Sequence, residues 1–226
     1  MIHFVIVNIN GLRFTRPLSQ DLLNQTKFWR ATLLDQASTE PGTAEFLATL
    51  NYPFDVIRNA VPLDLNRIWD WHYRMSQCPY LCFLNNDVRI PSNFVADTEA
   101  IFELEPSVGC VIHSTNHPDY QDVSPVLRYE VMNDRIAQGW DFTLRREAYT
   151  VIPDDLKTFG GDDYLFANLY EKGWKVAVAL SSPIVHYYAR SRRYYKGSRE
   201  EEGAAYRRHN YAKMGKCPYS RRFPVA

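Results

Sequence analysis

Three strand-like runs in this chain end in residues of one kind. "HFVIVNIN" closes on Asn8 and Asn10, "RATLLDQ" on Asp35, and "YLCFLNND" on Asn85, Asn86 and Asp87. A carboxylate at the exit of a buried strand, flanked by uncharged amides, suits a hard divalent cation held by few protein ligands and several phosphate oxygens. The amides of Asn85 and Asn86 can hydrogen-bond a sugar or ribose hydroxyl without adding charge. Each residue alone is equally a helix cap or turn former; their recurrence at successive strand ends is what points to a ligand. Further on, "FGGDDYLF" places Asp162 and Asp163 at the start of a helical run, and "PIVHYYARS" places His186 ahead of Arg190, Arg192, Arg193 and Lys196. A carboxylate there can take a proton from a hydroxyl, and the cations can balance phosphate charge. Asp162 is equally an N-cap, His186 equally a packed strand-end histidine, and the arginines equally a solvated face. The helix N-terminus favours an ionised carboxylate, whereas the neighbouring acid opposes joint ionisation.

These residues need a scaffold that delivers strand ends to one side. The patterning predicts strands over 3–9, 30–36, 54–59, 80–85 and 108–113. Between them it predicts helices over 18–26 (entered through Pro17), within 38–50, over 63–76 and over 92–104. The run over 80–85 is continuously apolar, as in a strand covered on both faces. This alternation implies a mostly parallel sheet flanked by helices, an α/β architecture whose ligands gather outside the carboxyl ends of the strands. Residues 114–139 read as a loop with short strands, and 139–149 as a strand passing into a short helix. A helix over 162–172 follows, stopped by Gly173 and continued by another strand. Ser198 and Glu201 form a capping-box pattern for a terminal helix within 197–215.

The chain has 226 residues, enough for one sizeable core, with ordinary hydrophobic and charged fractions of 46% and 23%. No apolar run approaches the roughly 18 residues of a membrane span. The opening "MIHFVIVNING" has no basic leader or small-residue cleavage site and reads as a first strand, so a cytoplasmic protein is expected. Cys78, Cys82, Cys110 and Cys217 lack the paired spacing of a metal site and read as buried free thiols. Net charge is zero, yet residues 190–226 carry eleven Lys/Arg against three Glu. That basic segment is expected to meet something anionic: a partner, a nucleotide diphosphate or the acidic body of the protein itself.

Taken in order, "VIVNINGLRFTRPLSQDLLNQT", "LLDQASTEPGTAEFL", "LCFLNNDVRIPSNFV" and "FGGDDYLFANLYEKGWKVAVALSSPIVHYYARS" resemble the family 2 glycosyltransferases of the GT-A fold, over about residues 4–191. The resemblance implies a GT-A (Rossmann-like) domain over 1–190 with a small antiparallel part. It also leaves a basic, Tyr-rich helical extension over 191–226, packed on or over the active site. Asp35 then matches the residue that binds the nucleotide base, and Asn8 and Asn10 lie where the first loop meets the nucleotide. Asn59, Asn85, Asn86, Arg190 and Arg193 join the donor-binding set. Asp87 and His186 match ligands of a Mn²⁺ or Mg²⁺ ion, and Trp140 and Asp141 fall where members line the acceptor and donor-sugar pocket. Asp162 and Asp163 match the acidic pair that supplies the general base, with Asp163 favoured by register. Two features depart from the pattern: Asn85 replaces the first acid of the metal motif, and Gln36-Ala37-Ser38 follows Asp35.

The implied activity is metal-dependent, inverting transfer of a sugar from a nucleotide-diphosphate sugar to a hydroxyl acceptor, with a saccharide or glycan as the usual acceptor. The absence of a Gln-x-x-Arg-Trp motif argues against a processive membrane synthase. Tyr187, Tyr188, Tyr194, Tyr195, Tyr206 and Tyr211, interleaved with the basic residues, allow a nucleic-acid partner in which a modified base of DNA is the acceptor. A third reading is a sugar- or nucleotide-binding module that keeps the fold without the chemistry.

Overall fold

A computed structural model describes residues 1–115, 124–133, 136–188 and 199–211. Nine strands join in one sheet: β1 (Ile2–Asn8), β2 (Trp29–Gln36), β3 (Phe54–Asn59), β4 (Tyr80–Asn85), β5 (Val88–Arg89), β6 (Val108–Thr115), β7 (Tyr129–Val131), β8 (Asp141–Arg145) and β9 (Lys175–His186). The spatial order is β3-β2-β1-β4-β8-β6-β9-β5, with β7 also on β9. The first four are mutually parallel. β8 enters antiparallel between β4 and β6, β6 and β9 run parallel, and β5 and β7 pair antiparallel with β9. The helices are α1 (Leu12–Leu23), α2 (Thr43–Ala48), α3 (Leu65–Met75), α4 (Phe94–Leu104), α5 (Gly161–Glu171) and α6 (Arg199–Tyr206). None is long and apolar enough to cross a membrane among the described residues.

The apolar run of β4 is continuous because both of its faces are covered. Leu81 and Phe83 pack with Ile68, Trp69, Phe142 and Leu165 of α3, β8 and α5. Cys82 and Leu84 face the opposite way, against Leu18, Leu22, Phe94 and Val95 of α1 and α4. Strand geometry sends successive side chains to opposite faces, so only an all-apolar strand fills such a sandwich. Cys78, Cys82 and Cys110 are buried free thiols, as expected; Cys217 lies outside the described residues.

Two helices differ from their expected extents. α1 starts at Leu12 and holds Pro17 inside it. Its start is set from another loop: Glu40 accepts the Leu12 N–H at 2.9 Å, a tertiary cap that local patterning does not reveal. α6 spans Arg199–Tyr206 and continues as a looser π-helical turn over Arg207–Tyr211; Ser198 of the capping-box pattern lies outside the described residues. By contrast α5 stops where Gly173 implies. Gly173 takes φ +81, with Trp174 N–H bonded to Leu169 O and Gly173 N–H to Tyr170 O, the hydrogen-bond pattern of a left-handed glycine stop.

Candidate functional site at the carboxyl ends of the strands

The carboxyl ends of β1, β2 and β4 are tied together through Asn8. Its amide donates to Asp35 Oδ1 (2.9 Å) and Ser38 Oγ (3.2 Å), and its oxygen accepts from Thr15 Oγ1 (2.8 Å) and Asn86 Nδ2 (3.0 Å). Asn8 is wholly buried, and both halves of its amide are taken by these bonds. It therefore holds the three strand ends in register. Asn86 Nδ2 also donates to Thr15 Oγ1 at 3.0 Å. Gly11 is required here, because a Cβ would lie 3.2 Å from Asn8 Oδ1 and overlap the Asn86 amide. Asn10 takes the left-handed conformation at φ 46, and its side chain accepts the backbone N–H groups of Thr39 (2.8 Å) and Glu40 (2.9 Å). The loops after β1 and β2 thus form one rigid unit.

At the β2–β3 edge, Asp35 is fully buried and its second oxygen accepts Arg58 Nε at 3.1 Å. Gln36 Oε1 accepts Leu63 N–H at 2.7 Å, which fixes the amide's orientation. Gln36 Nε2 and, opposite it in register, Asn59 Nδ2 are buried N–H donors that meet no acceptor among the described residues. Buried donors of this kind call for an acceptor.

On the other side of β4, β5 pairs with the end of β9, placing Val88 opposite His186. That register brings Asp87 Oδ1 to 3.3 Å from His186 Nε2, with both side chains under a tenth exposed. Two residues far apart in the chain therefore share one place. Asn85 is half-buried beside them, and its backbone N–H donates to Trp140 O at 2.9 Å. The Trp140 ring stacks on His186 with centroids 5.1 Å apart, and Tyr188, at φ 50, lies 4.2 Å from the His186 ring. Among the described residues no three His, Cys, Asp or Glu side chains group to hold a metal.

Asp162 and Asp163 are both buried in the first turn of α5. Asp162 lies against Gly139: a Cβ there would come to 3.1 Å from Asp162 Cγ and inside contact distance of Oδ2. Gly139 precedes Trp140, so Asp162 reaches the segment whose next ring covers His186. Asp141 does not share that pocket. Its carboxylate is fully enclosed, bonded to His113 Nδ1 (2.9 Å), the His113 N–H (3.0 Å) and the Gln138 amide. Asp141 braces β6 against β8 from this enclosed position, whereas the family resemblance implied a pocket-lining one.

Arg190, Arg192, Arg193, Lys196, Tyr194 and Tyr195 lie outside the described residues. Of the other aromatic residues, Tyr187 and Tyr188 are exposed, whereas Tyr206 is buried in the core beside α5. Arg208 and His209 pair with Asp155, at 2.7 Å each, so part of the basic segment meets the acidic body. Sequence reading missed Thr15, Ser38, Glu40, Gly139 and His113. Only Gly139, beside a tryptophan, left a local signal; the others act through contacts that folding creates.

No protein-family model and no curated protein matches the chain. Among solved structures, GalNAc-T7 with UDP, GalNAc and Mn²⁺ superposes with a TM-score of 0.71 at 14% identity, covering 99% of this chain and 52% of that one. Residues 1–349 of S. aureus TarS in complex with UDP-GlcNAc superpose with a TM-score of 0.69 at 12% identity, covering 90% of this chain and 63% of that one. The chain thus spans between about half and just under two thirds of these neighbours. The shared architecture is the GT-A fold, as the sequence implied.

Proposed function

We propose that the chain is a metal-assisted, inverting glycosyltransferase of the family 2 type, moving a hexosyl or pentosyl unit from a nucleotide-diphosphate sugar to a hydroxyl of a saccharide or glycan. The observation that carries this reading is the meeting of Asp87 and His186 at the strand ends, with Asp162 reaching the Gly139–Trp140 segment beside them. Asp87 and His186, 3.3 Å apart with both side chains under a tenth exposed, are an oxygen and a nitrogen donor that would hold a Mn²⁺ or Mg²⁺ ion. When bound, such an ion supplies positive charge to the departing diphosphate. Asn85 in place of an acid leaves more of the coordination to phosphate oxygens and water.

The protein's own groups do the rest. Asp162, taken in preference to the Asp163 that register favours because it is the acid that abuts Gly139, takes the proton of the acceptor hydroxyl as its oxygen bonds the anomeric carbon. The bond from that carbon to the diphosphate oxygen breaks, and the nucleoside diphosphate leaves. A single displacement from the opposite face inverts the anomeric centre. Trp140, packed on His186, walls the sugar. The nucleobase belongs at the β2–β3 edge, where Asp35, Arg58, Gln36 and Asn59 stand. The buried Tyr206 favours a saccharide over DNA as acceptor, since its ring is not presented outward to stack on bases. The UDP ligands named for both structural neighbours make a uridine donor the first to try.

The test is thermal unfolding against UDP-, GDP-, dTDP- and CMP-sugars, with and without Mn²⁺. At a hundredfold excess over Kd, native-state binding adds about 2.7 kcal/mol, which raises the midpoint of a domain this size by roughly 5–10 °C. One nucleotide should give that shift only with metal, and Asp162→Asn should retain the shift while losing turnover. A flat panel would remove the reading.

A further inference from the structure

We infer that the C-terminal helix α6 belongs to the reaction machinery and that its Glu202 is a positioning residue for Asp162 and Asp163; this rests on the assignment of that pair given above. The two acids occupy the first turn of α5, whose direction is set by how the chain enters it. The entry is Thr158–Phe159–Gly160–Gly161. Gly160 sits at φ 74 and supplies no side-chain cap, so the entry must be held from outside.

It is held from two sides. From α3, the Asn66 N–H donates to Lys157 O and its amide to Leu156 O, both at 2.9 Å. Asn66 also fills the space against Gly161 that a Cβ would need. From α6, the buried Glu202 carboxylate faces the Phe159 backbone N–H and the Thr158 hydroxyl. Upstream, Arg208 and His209 grip Asp155. Ala205 and Tyr206 enter the same apolar cluster as Leu156, Leu165 and Phe166.

Glu202 is only 4% exposed, its Oε2 meets no partner among the described residues, and burial together with the nearby Asp64 carboxylate pushes its carboxyl up. A buried acid in such surroundings contributes little net stability compared with an apolar residue of its size. What it contributes is a fixed point two residues before Gly161. Glu202 acts through Phe159 and Gly160 on the placement of Asp162 against Gly139, without touching the reacting atoms.

The experiment uses the full chain carrying Glu202→Ala or Glu202→Gln, each alone and combined with Asp162→Asn. Amide hydrogen exchange over residues 158–163 should speed about tenfold in Glu202→Ala, as a buried N–H loses its acceptor, and stay near the parent in Glu202→Gln, which keeps an acceptor oxygen. Turnover should fall about tenfold in kcat at unchanged donor KM. In the Asp162→Asn background that loss should vanish. Unchanged exchange over 158–163, or an equal loss in both backgrounds, would overturn the inference. If Glu202→Ala does not fold, Thr158→Ala removes the hydroxyl that faces the carboxylate and must shift exchange in the same direction. If the parent neither binds nor turns over a nucleotide sugar, the glycosyltransferase reading fails separately, and exchange alone decides whether α6 positions the α5 entry.

Discussion

Replacing Gly139 with alanine should separate catalysis from stability. The added methyl would lie 3.7 Å from Asp162 Cβ, an ordinary contact, but only 3.1 Å from Cγ and closer still to Oδ2. Carbon–carbon contacts settle at about 3.5–4.0 Å, so Asp162 Cγ must retreat by roughly half an ångström. The carboxylate, pivoting about an unmoved Cβ, swings roughly twice as far. A reacting group misplaced by about 1 Å can lose on the order of a hundredfold in rate, or about 2.7 kcal/mol of barrier. The fold should hardly notice. Gly139 has an ordinary backbone conformation, and alanine in a compatible glycine position gains about 0.4–1 kcal/mol from the unfolded chain, which offsets the cost of turning one short side chain. The assay is steady-state release of nucleoside diphosphate beside urea unfolding. We expect kcat to drop by about two orders of magnitude, with donor KM unchanged and the unfolding midpoint within about 1 kcal/mol of the parent. Gly173→Ala is the counterpart: it has open space but φ 81, so it should lose about 1 kcal/mol of stability and no activity. Wild-type kcat in Gly139→Ala would refute the placement of Asp162 as base.

Two further outcomes are expected. Asp87→Asn should abolish the metal-dependent part of the donor-induced thermal shift while leaving any metal-independent part; an unchanged Mn²⁺ titration would sink the Asp87–His186 assignment. His3, buried on β1 with Ser76 Oγ and Thr32 Oγ1 each 2.9 Å from its ring nitrogens, is held down to about 4, chiefly by burial and then by His72. The unfolded chain therefore binds a proton near pH 6.5 that the native state refuses until about pH 4. Stability is full above that window and falls as pH drops through it, by about 3 kcal/mol. Urea midpoints between pH 7 and 4.5 should show a shallower slope for His3→Gln than for the parent, and identical slopes would contradict it.

Much of the fold was legible because local periodicity and tertiary burial agree along β1 to β4. A strand covered on both faces must be apolar throughout, so "YLCFL" announced the centre of the sheet, and Gly173 announced a helix end by its freedom at positive φ. The strand-end polar residues were legible as well, since polar side chains following buried strands stand out by composition. Their division of labour was not. Asn8 carries the same amide that reads a ligand elsewhere, yet here both of its halves brace loops, which depends on Thr15 and Ser38 arriving from other segments. Trp140 and Asp141 are neighbours in sequence, but the turn into β8 leaves one ring on His186 and encloses the other side chain beside His113. The meeting of Asp87 with His186 needed the β5–β9 pairing, and the tether from Glu202 to Phe159 needed a helix from the far end of the chain. Sequence by itself determined which segments become strands and which chemical groups stand at their ends. Register, pleat and long-range packing decided which of those groups face one another, because hydrogen bonds and ion pairs depend on ångström-scale distances that only the folded chain sets.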